Sequence, residues 1–262
     1  NIAMNNSAWT GFTHVPLSVF AQLFAANLPK ANIDAEKVVI LDAIWNRAML
    51  NRDMSRKAKL NQEALRTIIP SPTLIGHAHH IARGLLLAGD YDRARVWYDF
   101  VRGLAVSGNP DATKALIDIW PIAVLSDQTG AVPWSEDILD LWWNGQMVLD
   151  PESRIGKATL LYSLAESLGH KVSDEKWAEL LGNDQLENTR SISLGVWREM
   201  IRAVGENKPA EAIILSLIAM SEDGPGGLDA AGVSTTVRLL RSVGLDSEAR
   251  DVVLEALVSN GF

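Results

Sequence analysis

The chain has 262 residues, of which 47% are hydrophobic and 21% are charged, a balance that indicates a globular protein. The absence of cysteine excludes disulfides, thiolate catalysis and Cys-based zinc sites. The net charge is −8, and no apolar run approaches the roughly 18 residues that a membrane span needs. We therefore expect a soluble protein that neither binds nucleic acid nor spans a membrane.

The first part of the sequence predicts an irregular arm followed by helices. Residues 1–15 are rich in Asn, Ser and Thr and show no hydrophobic period, whereas residues 16–262 predict a single helical-repeat domain. Pro16 opens a short helix over 17–26, and Asp34 is a candidate N-cap for a helix that continues to about Leu50. The apolar residues of that second helix recur at spacings of three and four: Val38, Leu41, Trp45 and Ala48.

The middle of the chain predicts a tight helical hairpin and a third helix. A brief helix over 60–69 precedes helices 74–88 and 90–105, which Gly89 joins so closely that they must be antiparallel. The next helix follows Asn109 and runs to about residue 125. Pro121 within it predicts a kink or a division.

The rest of the chain continues the helical pattern. Ser135 caps a helix to about residue 148, and Gly169 ends another over 151–168. A short helix over 173–181 leads to a polar section at 182–191, which predicts a hinge. Two further helical pairs follow, 194–204 with 210–221 and 229–243 with 247–259.

One register recurs three times: a Gly, an Ala five residues later, and an apolar residue nine residues later. The three instances are Gly89/Ala94/Tyr98, Gly205/Ala210/Ile214 and Gly244/Ala249/Val253. A Gly that ends one helix and a small Ala in the next suit two antiparallel helices in close contact. We therefore predict an all-α fold, an α-solenoid in which about eleven or twelve helices form a right-handed stack of antiparallel hairpins.

The first of these units resembles the middle of a tetratricopeptide repeat, in which a Gly turn, an aromatic residue, a small Ala and a second aromatic residue recur. The residues that carry the resemblance are Gly89, Asp90, Tyr91, Ala94, Trp97, Tyr98 and Val101. The other two units keep the turn and the small residue but lack the aromatic residues, so the resemblance covers about a third of the chain. It implies superhelical packing and a concave surface for protein or peptide ligands.

The only histidine cluster is His77, His79 and His80. On a helix His77 and His80 share a face, and with a carboxylate from a neighbouring helix they could bind a metal such as zinc. No companion motif supports such a site, and a surface or interface role is the alternative. We therefore predict neither a metal nor a cofactor.

A second candidate lies at 133–143, where carboxylates alternate with tryptophans. Glu136 and Asp140 share a helix face at a spacing compatible with the acid and base of a glycoside hydrolase. The alternative is a solvated stripe that favours the helix N-terminus. The tryptophans could instead line a groove without catalysis, and we take Trp97, Trp134, Trp142 and Trp143 as candidate binding residues.

Charge is distributed unequally along the chain. Residues 1–106 carry 12 Lys/Arg and 8 Asp/Glu, and residues 107–262 carry 12 and 24, which gives +4 and −12. Such halves could orient a charged partner or associate head to tail between copies.

We therefore expect a non-catalytic scaffold that binds a protein or peptide in a groove of the helical stack. The alternatives are an all-α carbohydrate-active enzyme that uses Glu136 and Asp140, and a self-assembling structural subunit. The composition suits a bacterial cytoplasm or periplasm. Because residue 1 is not Met, we also expect a removed N-terminal segment.

Overall fold

The structure is a computed structural model that describes residues 34–50, 53–181 and 190–262. The predicted arm at 1–15, the helix at 17–26 and most of the hinge at 182–191 lie outside the described residues. Within those ranges the regular structure is helical, and the one β-type pairing is an isolated bridge between Arg190 and Leu228. The all-α class is therefore confirmed.

The described residues form thirteen α-helices. In chain order they are α1 (Asp34–Leu50), α2 (Met54–Leu60), α3 (Gln62–Arg66), α4 (Ala78–Leu87), α5 (Tyr91–Val106), α6 (Pro110–Ser126), α7 (Glu136–Gly145), α8 (Pro151–Ser167), α9 (Asp174–Ala178), α10 (Leu194–Gly205), α11 (Pro209–Met220), α12 (Ala230–Ser242) and α13 (Asp246–Ser259). Short 3-10 helices precede α4, follow α7 and precede α12. None of the described helices is long and apolar enough to cross a membrane.

Two helix predictions need correction. The helix predicted at 60–69 is shorter, since it is α3 alone, and Asn61 separates it from a preceding helix, α2, that the sequence did not predict. The Asn61 side chain donates to the Lys57 carbonyl at 2.8 Å and so satisfies an acceptor at the end of α2. The second correction concerns Pro121: the division of the helix, one of its two predicted effects, does not occur, since α6 continues to Ser126.

The corners between helices are built as predicted at two of the three glycines. Gly89 and Gly244 have φ of +79° and +82°, a region that Gly enters without a steric penalty. At Gly89 the amide of the following residue, Asp90, donates to the Leu85 carbonyl at 2.8 Å, which is the Schellman pattern. Gly169 ends α8 in the same way, with φ of +93°.

The third corner lies at Asn207, which corrects the prediction for Gly205. Gly205 is the last residue of α10, and the left-handed position, with φ of 53°, falls on Asn207. Asn adopts this conformation more readily than most residues. Counted from Asn207, the buried small residue five positions later is Ala212 rather than Ala210. Only the turn and the small residue therefore recur at this corner: the ninth position from Asn207 holds Ser216, and the predicted register residues Ala210 and Ile214 are exposed.

The core follows the predicted helical faces. In α1 the four predicted residues Val38, Leu41, Trp45 and Ala48 are each 1% exposed. The main core extends over α1 to α9 and continues into α12 and α13. A smaller cluster joins α10, α11 and α12 through residues that include Met200, Ala203, Ala212, Ala219 and Leu239.

Helices adjacent in sequence pack as pairs, and the C-terminal helix also folds back onto the first half of the chain. Contacts join α4 with α5, α5 with α6, α10 with α11, and α12 with α13. α13 additionally packs against α6, α4 and α2. An open solenoid makes contacts only between neighbouring repeats, so these long-range contacts depart from the simple stack expected from the sequence. They also bring the acidic half of the chain onto the basic half within one molecule.

Candidate functional site

Helix α11 has its large side chains outside and its small side chains inside. Ala212, Ser216 and Ala219 face the protein interior at exposures of 0%, 2% and 3%. The exposed positions between them hold Ile213, Ile214, Leu217 and Ile218, which are 38% to 60% exposed. Small inward residues let α11 approach its neighbours closely, but they leave the bulk of its apolar surface in water.

Helix α10 adds three exposed apolar side chains at positions i, i+3 and i+7. Leu194, Trp197 and Ile201 are 78%, 44% and 51% exposed, whereas Met200 and Ala203 on the same helix are fully buried. We call the seven exposed residues of α10 and α11 the outer face: Leu194, Trp197, Ile201, Ile213, Ile214, Leu217 and Ile218. Single exposed apolar residues are ordinary, but a concentration on two paired helices indicates an interaction surface.

Charged groups fasten this hairpin at its turn. The Arg202 guanidinium donates to Glu199 at 2.7 Å and to Glu206 at 2.8 Å, and it also contacts Glu211 at the start of α11. The hydrogen bonds from Arg202 to Glu199 and then to Glu211 raise the pKa of Arg202 above its ordinary value. The ion pairs therefore link α10 to α11 without occupying the outer face. Ser193 caps α10 by accepting from the Val196 amide.

The four tryptophans proposed from the sequence do not share one groove. Trp97 and Trp142 are in the core at 1% and 2% exposure, and the small accessible part of Trp142 lies in the wall of the second cleft described below. Trp134 is half-buried and stacks on His170 at a centroid distance of 5.1 Å. The guanidinium of Arg154 lies 3.5 Å above the Trp143 ring. These rings are engaged in packing the molecule itself.

The histidine cluster is bridged by a carboxylate from α1. Asp42 contacts the Nδ1 atoms of His77 at 2.7 Å and His80 at 2.6 Å through its two different oxygens. Burial alone would raise the pKa of Asp42, but the hydrogen bonds and charge of His80 and His77 lower it below its ordinary value. Among the described residues, no group of three His, Asp or Glu side chains is placed to hold a metal ion. The arrangement fastens α1 to the start of α4.

The proposed acid and base pair lies on an open part of the surface. Asp140 forms an ion pair with Lys176 of α9, and Glu136 is exposed in the first turn of α7. Neither residue lines the two clefts described next.

The first cleft lies between α5, α6 and the loop that follows α6, with a volume of about 310 Å³. Ala94 and Tyr98 of the tetratricopeptide-like unit form part of its apolar wall. Asp92 and Asp127 are among its polar lining residues. This is the concave feature nearest to the groove expected from the resemblance.

The second cleft is smaller and more polar. It has a volume of about 190 Å³ and is lined by residues from five parts of the chain: His79, Arg83, Asp118, Trp142, Lys157, Gly261 and Phe262. Sequence reasoning missed Arg83, Asp118 and Lys157, because isolated charges on helices are usually solvated. It did single out Trp142, which stacks on Phe262 at a centroid distance of 5.6 Å in the wall of this cleft.

Comparison of the chain with protein-family models, curated proteins and solved structures finds no match.

Proposed function

We propose that this chain is a non-catalytic protein-binding module whose outer face receives an apolar helix of a partner protein. The observation that carries the proposal is the inverted pattern of α11, with Ala212 and Ser216 inside and Ile214 and Leu217 outside. Folding of this chain alone gains little from four large apolar residues on the water side of a helix. A partner helix would give them the burial that they lack.

The size of the outer face supports a specific contact rather than incidental exposure. Full burial of a large apolar side chain contributes about 1.5 to 3 kcal/mol, so seven side chains that are roughly half exposed could contribute about 6 to 11 kcal/mol in total. Association itself costs an estimated 4 to 15 kcal/mol, depending on the reference model. The difference between the free energy gained by burial and the cost of association suits a regulated or moderate-affinity complex.

The geometry favours a helix as the occupant. The exposed side chains of α10 recur at i, i+3 and i+7, and those of α11 form two pairs at spacings of four, so each helix presents ridges that another helix can pack between. On the opposite side of the hairpin, α12 already packs against both α10 and α11. A partner helix would repeat that arrangement on the free side.

Site-specific photo-crosslinking in cells tests the proposal. A crosslinkable residue at Leu217 should trap one defined protein, and the same residue at Val106, an apolar position on α5 that is 84% exposed, should not. Purified partner should then bind wild-type chain and the Val106→Glu control alike, with at least tenfold weaker binding to Leu217→Glu. Identical adducts at both positions, or equal partner affinity for the two variants, would refute the proposal.

The same variants address the self-assembling alternative. If the purified chain sediments as an oligomer that Leu217→Glu dissociates, the occupant is a second copy and the external partner is rejected. Salt-sensitive oligomers that Leu217→Glu leaves intact would instead favour docking through the unequal charge of the two halves. The carbohydrate-active alternative gains no support from the placement of Glu136 and Asp140.

A further inference from the structure

Arg83 is a buried cation with almost no hydrogen-bond partners. The residue is 7% exposed and its Nε atom is buried without an acceptor. Among the described residues its side chain makes a single hydrogen-bond contact, from Nη1 to the Met49 sulfur at 3.9 Å. A guanidinium has five N–H donors, and proteins rarely bury one without an oxygen acceptor. The side chain lines the second cleft, so that cleft is where an acceptor can reach it.

Lys157 supplies a second cation in the same cleft. Its Nζ donates to the Gly261 carbonyl at 2.7 Å and lies 5.1 Å from the centre of the Phe262 ring. In the part of the chain that the structure describes, no carboxylate lies within 4 Å of Lys157 or Arg83. Burial lowers the pKa of Arg83 to about 10, and burial together with the Arg83 charge lowers the pKa of Lys157. An anion between the two cations would oppose both effects.

The remaining polar groups limit what kind of anion fits. Among the residues that line the cleft, Arg83 and Lys157 are positive and Asp118 is negative when ionised, so a monoanion neutralises the lining and a dianion does not. The charge of Lys114 also acts on Asp118, but Lys114 is not part of the lining. Asp118 is an acceptor with no hydrogen-bond donor of its own among the described residues, and burial raises its pKa. Burial holds His79 neutral, with a pKa of about 3, so its ring can accept one hydrogen bond and donate another.

We propose that the second cleft binds a small monocarboxylate that also carries a hydroxyl group. Its carboxylate lies between Arg83 and Lys157, its hydroxyl donates to Asp118, and its apolar part lies against Trp142 and Phe262. A cleft of about 190 Å³ has room for a ligand of a few heavy atoms, the size of lactate. This inference is independent of the outer face and adds a second binding activity to the proposed module.

Isothermal titration calorimetry of the whole chain with L-lactate, propionate and inorganic phosphate tests the proposal. Lactate should bind saturably, and propionate, which lacks the hydroxyl, should bind at least tenfold more weakly. Phosphate should also bind at least tenfold more weakly, because Asp118 repels a dianion. No saturable lactate binding, or phosphate binding as tight as lactate, would overturn the proposal.

Two variants assign any binding to this cleft. Arg83→Met keeps a long side chain but removes the charge, and it should weaken lactate binding at least tenfold, with a melting transition that shows the chain is folded. Asp118→Asn should reduce the preference for lactate over propionate and improve phosphate binding. Lactate affinity unchanged by Arg83→Met would refute the site. Leu217→Glu on the outer face should leave lactate binding unchanged, so failure of the protein-binding proposal is distinguishable from failure of this one.

Discussion

The inverted pattern of α11 makes an unusual stability prediction, which two substitutions test. Leu217 is 60% exposed, and so Leu217→Gln loses only about two fifths of the burial energy of a Leu side chain, about 0.6 to 1.2 kcal/mol. Gln has nearly the same helix propensity as Leu, so the backbone adds little to this difference. Ala212 is fully buried, and Ala212→Leu forces a large side chain into the closest contact of the hairpin. We expect that change to cost about 1 to 3 kcal/mol or more, as overpacked cores do.

Urea unfolding followed by circular dichroism measures both free energies. Leu257→Ala is the matched control, because Leu257 of α13 is fully buried and its truncation should cost about 2 to 5 kcal/mol. The order expected from the structure is a small loss for Leu217→Gln and larger losses for Ala212→Leu and Leu257→Ala. A Leu217→Gln loss above about 2 kcal/mol, or a neutral Ala212→Leu, would show that α11 is rotated relative to this structure. The outer face would then not exist as described.

Three further predictions concern the corners, a buried imidazole and a cap. Gly89 has φ of +79° with open space at the Cβ position, so Gly89→Ala should lower the free energy of unfolding, measured by heat or urea, by about 1 to 2 kcal/mol. Gly205 is at a helical position, so Gly205→Ala should raise it by up to about 1 kcal/mol. Equal effects of the two substitutions would contradict the assignment of the corners. Between pH 6.5 and 3, His79 is neutral in the folded chain but binds a proton in the unfolded chain. The free energy of unfolding should therefore fall by up to about 1.4 kcal/mol per pH unit as the pH drops through this range. His79→Asn should flatten this slope in thermal unfolding measured at a series of pH values. Asp90 caps α5 and pairs with Arg66, so Asp90→Asn should keep the cap while Asp90→Ala should cost about 1 kcal/mol more; no difference between these variants in urea would contradict the cap.

Local signals in the sequence predict those parts of the fold that depend on local physics. The spacing of Val38, Leu41 and Trp45 gives the buried face of α1, because a helix with one apolar stripe has a single favourable orientation. Gly89 and Gly244 give two corners, because few other residues adopt their backbone conformation. The corner predicted at Gly205 is wrong, because Gly is also tolerated at the last position of a helix and the nearby Asn207 makes the turn.

The candidate sites depend on tertiary contacts and are much harder to predict. An apolar run such as 212–220 is typical of a buried helix, and only the packing of α11 on α10 and α12 shows that its larger side chains face outward. The signal that could have indicated this is the placement of Ala212, Ser216 and Ala219 at i, i+4 and i+7, which marks a close helix contact. Arg83 carries no signal of its own, because its burial depends on residues far away in sequence.

The packing of α13 against helices from the first half of the chain explains how the second cleft forms. α4 and α8 both belong to the main core, and each contributes a cation on the side that α13 and the residues after it cover. Gly261 and Phe262 close the cleft, and the Gly261 carbonyl receives the Lys157 hydrogen bond. In a stack with only neighbour contacts, nothing from the C-terminal hairpin would lie over Arg83, and its charge would be hydrated. The departure from a simple solenoid therefore places charges from separate helices together in one polar cleft.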